Sequence, residues 1–219
     1  MSQTILSLLV SATFETIYMV VLAGTIATLV GLPLGITLYI TRKGHILENF
    51  LLHQALSMLV NMTRSIPFII LMIAVIPFTR LIVGSSIGTN AAIVPLSLCA
   101  MPFIARVVEN ALLEISTGLI EAAQAMGATS WQIITKILIP ESFPSIINGL
   151  TLTIVNLIGY SAMAGAVGGG GIGDVAIRYG YQRFDAGIMI ITIVIMIVLV
   201  QIIQLIGDHI AKTFSRSRG

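Results

Sequence analysis

Long apolar runs separated by short polar clusters dominate the chain. A helix needs about 20 mostly apolar residues to cross the hydrocarbon core of a bilayer. Five segments meet that length, at about Phe14 to Ile40, Ala55 to Ile82, Ala91 to Val108, Ile146 to Val167 and Ala186 to Ile210. Arg64 and Pro67 interrupt the second, so its helix is expected to kink, or to break where protein shields the backbone. The pattern predicts an all-α polytopic membrane protein with five transmembrane helices, one domain over residues 1–219. No basic stretch precedes Ile5, and the apolar run outlasts a signal h-region, so it reads as part of the mature protein.

Composition agrees. Apolar residues make up 57% of the chain and charged residues 9%, with a mean hydropathy of +1.04. A soluble domain carries about 25% charged residues, so lipid has to cover much of this surface. The net charge of +2 and the lack of a basic cluster with interleaved aromatics argue against a nucleic-acid partner. Cys99 is the only cysteine, which excludes a disulfide framework, and His45, His53 and His209 are scattered singly. No metal site or catalytic constellation emerges.

Basic residues orient the spans, because cytoplasmic loops are enriched in Lys and Arg. With the N-terminus outside and the C-terminus inside, the cytoplasmic side holds Arg42, Lys43, Arg106, Lys136, Lys212, Arg216 and Arg218. The outer side then holds only Arg80, Arg178 and Arg183. That orientation puts the segment from Glu109 to Phe143 in the cytoplasm. Within it, good helix formers from Gly118 to Met126 meet Gly127, and Thr129 or Ser130 can cap a second short helix over Trp131 to Ile139, expected to end at Pro140. Its small, apolar and weakly charged surface suits docking against protein.

Glu121-Ala122-Ala123, then Gly127, then Ile137-x-Ile139-Pro140 resembles the EAA loop of bacterial ABC importer permeases, with Ile139 where the family carries Leu. The resemblance implies a type I ABC importer permease fold. It implies a coupling loop at about residues 114–141 that seats on a separate ATPase subunit. Glu121 would make a polar contact there, Ala122 and Ala123 would allow close approach, and Gly127 would make the turn. The likeness extends over nearly the whole chain: Arg64 to Leu71 resembles a segment of amino-acid importer permeases, and Pro102 to Leu112 and Gly159 to Gly168 resemble the methionine importer permeases. Implied with them are a homodimer, two ATPase subunits, an extracytoplasmic substrate-binding protein and a place in the bacterial inner membrane. ATP and Mg would bind the partner ATPase, with no cofactor on this chain. The substrate would be methionine, or alternatively another polar amino acid or small solute.

Other residues need weighing. The run Gly168 to Asp174 lacks the Lys-Ser/Thr of a phosphate-binding loop and reads as a flexible turn at the outer end of the fourth span. Polar Asn156, Tyr160 and Ser161 on that span favour a protein-facing stripe. Tyr160 to Gly165, with Met163 in an outer gate, either line a translocation path or pack the core. Arg64 either touches that path or finds a structural partner near the membrane surface. Arg106 and Glu109 share a helix face and read as a structural lock. Gly31 with Gly35, and Gly165 with Gly169, are spaced for close helix approach, and Pro33, Pro67 and Pro102 are expected to bend their spans. An ion-coupled carrier is the competing class; it usually needs an embedded acid, for which Glu15 is the nearest candidate.

Overall fold

The computed structural model describes residues 3–216; Arg218, counted in the orientation, lies outside the described residues. Ten α-helices follow one another: α1 (Gln3–Thr41), α2 (Phe50–Arg64), α3 (Phe68–Ala74), α4 (Ile76–Val83), α5 (Thr89–Leu113), α6 (Thr117–Ala125), α7 (Ser130–Ile133), α8 (Ile139–Ala166), α9 (Gly171–Val175) and α10 (Ala186–Arg216). Two π-helical stretches, Ile134–Leu138 and Ala176–Tyr181, join α7 to α8 and extend α9. No strand occurs among the described residues.

Four helical stretches are long and apolar enough to cross a membrane, at Thr4–Thr41, Thr89–Leu113, Ser130–Ala166 and Ala186–Phe214. The second expected span is not one helix. It turns by 101° between α2 and α3, across Ser65, Ile66 and Pro67, and counts as a fifth span only if that bent pair is taken as one. Pro67 supplies the cause: it lacks an N–H and disfavours helix in the residue before it. Pro33 and Pro102, by contrast, lie inside unbroken helices.

The short helix over Trp131 to Ile139 does not end at Pro140 either. The backbone widens into a π-turn, with Ile139 N–H donating to the Ile134 carbonyl, and Pro140 falls in the first turn of α8. There its missing N–H and fixed φ are tolerated, so the segment after α5 runs straight into the fourth span.

α1 and α5 form the spine. A Cβ on Gly31 would lie 2.8 Å from the Met101 carbonyl oxygen, and one on Gly35 would lie 2.5 Å from that of Ala105. Both glycines therefore bring the two backbones together, as small residues do in membrane helix pairs. Leu96, Ile104, Val108 and Leu112 of α5 pack there with Met19 and Ala23 of α1. Gly165 acts differently: its nearest neighbours are backbone atoms of Gly173 and Asp174 on α9, so it serves packing within the chain.

Beside that spine, Arg106 pairs with Glu109 at 2.6 Å and reaches across to α2, donating to Ser57 Oγ at 3.1 Å and Asn61 Oδ1 at 2.8 Å. Glu109 is 2% exposed. The pair is the expected lock, and the structure adds the α2 partners that it fastens. α10 is the opposite case. Ile193, Val198 and Leu205 point out of the protomer, Leu205 being 67% exposed, a face that only lipid or a second apolar surface can cover.

Candidate functional site

Two places gather the candidate functional residues, the hairpin between α5 and α8 and a cavity behind the broken second span. The hairpin owes its shape to helix-ending rules. Gly127 has φ +79°, a left-handed conformation that glycine adopts without a Cβ clash. Ala128 N–H donates to the Ala123 carbonyl at 3.0 Å, and Gly127 N–H to that of Gln124 at 2.9 Å. That is a Schellman C-cap. It explains the spacing of the motif: three residues separate the first carbonyl of the cap, on Ala123, from the glycine. Thr129 then starts α7 with a capping box, Gln132 N–H donating to its Oγ1 at 3.3 Å while Thr129 N–H donates to Gln132 Oε1 at 2.9 Å. At the base, Ser145 Oγ donates to Glu114 Oε2 at 2.6 Å, tying the end of α5 to α8.

The motif residues divide by face. Ala123, Ile133 and Leu138 are buried in the main core with Ile120, and Ile137 packs against it. Ala123 thus allows close approach of the hairpin to its own protomer. Glu121 and Ala122 face outward, as do Met126 and Trp131, which are 81% and 72% exposed. A hairpin tip that presents a carboxylate and two large apolar side chains has the chemistry of a protein-docking patch.

The cavity has a volume of about 300 Å³ and is lined by residues of α2, α3, α5 and α8. It brings together two of the four predicted path residues, Arg64 and Tyr160. The Arg64 guanidinium stands 5.5 Å from the centre of the Phe103 ring, and Phe68 stacks on Tyr160 at 4.9 Å. Ser161 and Met163 are elsewhere. Ser161 is buried and donates to the Ile158 carbonyl at 2.7 Å, whereas Met163 faces outward at 47% exposure. Phe68, Cys99, Phe103 and Thr153 join the cavity wall without any local signal in the sequence, since contacts between distant helices leave no trace in a single helix's periodicity.

The glycine run is not the loose turn expected. Gly168, Gly170 and Gly171 all have positive φ, and the run folds onto α1 and α5. Gly171 N–H donates to Glu15 Oε2 at 2.8 Å, Ile172 N–H to Thr16 Oγ1 at 2.9 Å, and Gly88 N–H to the Gly168 carbonyl at 2.8 Å. Glu15, the candidate coupling acid, holds this turn in place.

Residues 31–216 match the family described as "Binding-protein-dependent transport system inner membrane component". A probable D-methionine transport system permease protein of Vibrio cholerae is 58% identical over 205 residues, covering 94% of this chain and 91% of that relative. The D-methionine transport system permease protein of Escherichia coli K12 is 55% identical over 165 residues, or 75% of this chain and 76% of the relative. A solved structure of the MetNI methionine ABC transporter in inward-facing conformations superposes with a TM-score of 0.96 at 51% identity, over 98% of this chain and 99% of that one. An amino acid ABC transporter crystallised with histidines shares the fold, with a TM-score of 0.73 at 17% identity over 98% of this chain and 95% of that one. With its helices, its hairpin and most of its length matched, the chain belongs to the family of binding-protein-dependent transport system inner membrane components.

Proposed function

We propose that the chain is the membrane-spanning permease of a methionine ABC importer, forming the translocation path as a homodimer driven by two separate ATPase subunits. One observation carries the reading: near-complete superposition, at 51% identity, on a chain of a methionine ABC transporter. Relatives of 55–58% identity named D-methionine permeases support the same substrate.

The mechanism follows from the hairpin. With the N-terminus outside and the C-terminus inside, Glu121, Ala122, Met126 and Trp131 meet the ATPase in the cytoplasm. The Schellman turn at Gly127 and the capping box at Thr129 make the hairpin stiff. The Glu114–Ser145 contact and the uninterrupted run from α7 into α8 fasten it to the spans. When ATP and Mg draw the ATPase pair together, a displacement of the hairpin passes into α8 and rocks the spans between two access states. Nucleotide supplies the difference in free energy between those states. A binding protein delivers the amino acid from outside, and Met163 closes the outer end of the path across the dimer axis. Glu15 is engaged with the Gly171 turn, which argues against an ion-coupled carrier.

Reconstitution with the ATPase and the binding protein, followed by uptake of a panel of amino acids, tests this. L- or D-methionine is expected to accumulate only with ATP and the binding protein present. Uptake of another amino acid with none of methionine would remove the substrate assignment; uptake independent of ATP would remove the importer. Met163→Cys should crosslink between protomers in at least one nucleotide state, and its failure in every state would remove the gate.

A further inference from the structure

The cavity behind the α2–α3 break combines an apolar wall with polar groups that open into it. The Arg64 guanidinium, the Asn156 amide and the Tyr160 hydroxyl all line it, and none has a hydrogen-bond partner among the described residues. The rest of the wall includes Phe68, Phe103 and Cys99. Arg64 ends α2 at the break and is exposed in the single chain, and a guanidinium at such a break in a membrane protein marks a candidate functional position. The Phe103 ring steadies the cation from one face, and its N–H fork remains available.

We infer that this cavity is a transit subsite for a neutral amino acid, in which Arg64 takes the α-carboxylate. This rests on the importer reading and deepens it. The guanidinium fork matches a carboxylate in two parallel hydrogen bonds. The Asn156 carbonyl oxygen accepts from the substrate ammonium, and the Tyr160 ring offers that cation its face. The side chain lies against Phe68 and Phe103, where a thioether gains sulfur–aromatic contacts. No Asp or Glu lines the cavity, so a cationic side chain finds no counter-charge. A second carboxylate finds no second arginine. Small-molecule sites start at about 300 Å³, which is the volume here, so the cavity has room for one amino acid.

Cys99, the only cysteine of the chain, sits in the wall and reports occupancy. The reconstituted complex, without nucleotide, is treated with N-ethylmaleimide, and modification of this chain is followed by mass spectrometry. Methionine should slow Cys99 modification several-fold, and methioninol, which lacks the carboxylate, should not. Arg64→Gln should lose the protection and Arg64→Lys keep part of it. The contrast between methionine and methioninol is read on the wild type, so it does not depend on a variant folding. Equal protection by the two, or full protection in Arg64→Gln, overturns the subsite. Protection by added phosphatidylglycerol, with none by methionine, assigns the guanidinium to a lipid phosphate and also overturns it. Methionine uptake by the same vesicles separates the two readings: uptake without protection overturns the subsite alone, and no uptake overturns the importer with it.

Discussion

Glu15 of the first helix accepts a hydrogen bond from the backbone of Gly171, 156 residues later, at 2.8 Å. The contact pins the glycine turn after α8 to α1 and gives a buried N–H its partner. Hydrogen bonds to charged groups contribute about 1.5–3 kcal/mol. Glu15→Ala should lower the thermal midpoint of the detergent-solubilised protein, and Glu15→Gln, which keeps an accepting oxygen, should lower it less. Gly171→Ala should be worse than either, because φ is +74° and the new methyl would meet Thr16 Oγ1 at 2.6 Å and Met19 Cε at 2.8 Å. Equal midpoints for all three variants and the parent would show that the turn stabilises nothing.

The Arg106–Glu109 pair should respond asymmetrically. Arg106→Ala leaves the Glu109 carboxylate, 2% exposed, without its cation, and breaking a buried pair costs about 3–5 kcal/mol. Replacing both partners by apolar residues of similar size, Arg106→Met with Glu109→Leu, should cost less than Arg106→Ala alone. Denaturation in mixed micelles of the parent, Arg106→Met, Glu109→Leu and the double variant, with Arg106→Ala beside them, measures this. A double variant as unstable as the sum of the single variants would mean that the two charges act independently.

Local sequence chemistry made some features legible. The spans announced themselves through length, and the hairpin through Gly127 and Thr129, because caps and turns obey short-range rules. Gly31 and Gly35 were visible as a spacing, although the sequence did not name α5 as their partner. What failed was long-range or cooperative. Pro140 looked like a helix terminator, yet a π-turn one step earlier absorbs it. The run from Gly168 looked loose, because its anchors at Glu15, Thr16 and Gly88 lie about 80 to 156 residues away. Nothing in the sequence joined Phe103 and Cys99 to Arg64, because that cavity forms only where α2, α5 and α8 meet.

His45 lies in the loop between α1 and α2, outside the membrane-spanning segments, with its ring edge-on to Tyr39 at 4.4 Å. Burial, reinforced by Arg42 and His53 and opposed by Glu109, holds its pKa below the ordinary histidine value. The folded state therefore prefers the neutral ring. Its contribution is fully present above the unfolded pKa of about 6.5 and is lost as pH falls below that value. Stability should decline as the detergent-solubilised protein is acidified from pH 7 towards 5, and His45→Phe should flatten that decline. Thermal midpoints across this range, for parent and variant, decide it. Parallel curves would place the acid sensitivity elsewhere.

Trp131 separates docking from folding. It is 72% exposed on the hairpin tip, whereas the neighbouring Ile133 is 1% exposed. Removing the indole should leave the permease's own stability almost unchanged. Exposed aromatics that become buried at an interface contribute about 2 kcal/mol or more when they act as anchors, equivalent to roughly thirty-fold in affinity. Trp131→Ala should therefore weaken association with the ATPase subunit by that order and lower ATP-driven uptake, with an unaltered thermal midpoint for the isolated permease. Gly127→Ala should behave differently. A left-handed conformation costs an alanine about 1–2 kcal/mol, so the hairpin itself loosens and both the midpoint and the coupling should fall. If Trp131→Ala binds the ATPase as tightly as the parent, the docking surface lies elsewhere, and the stiffness of the Gly127 turn no longer bears on coupling.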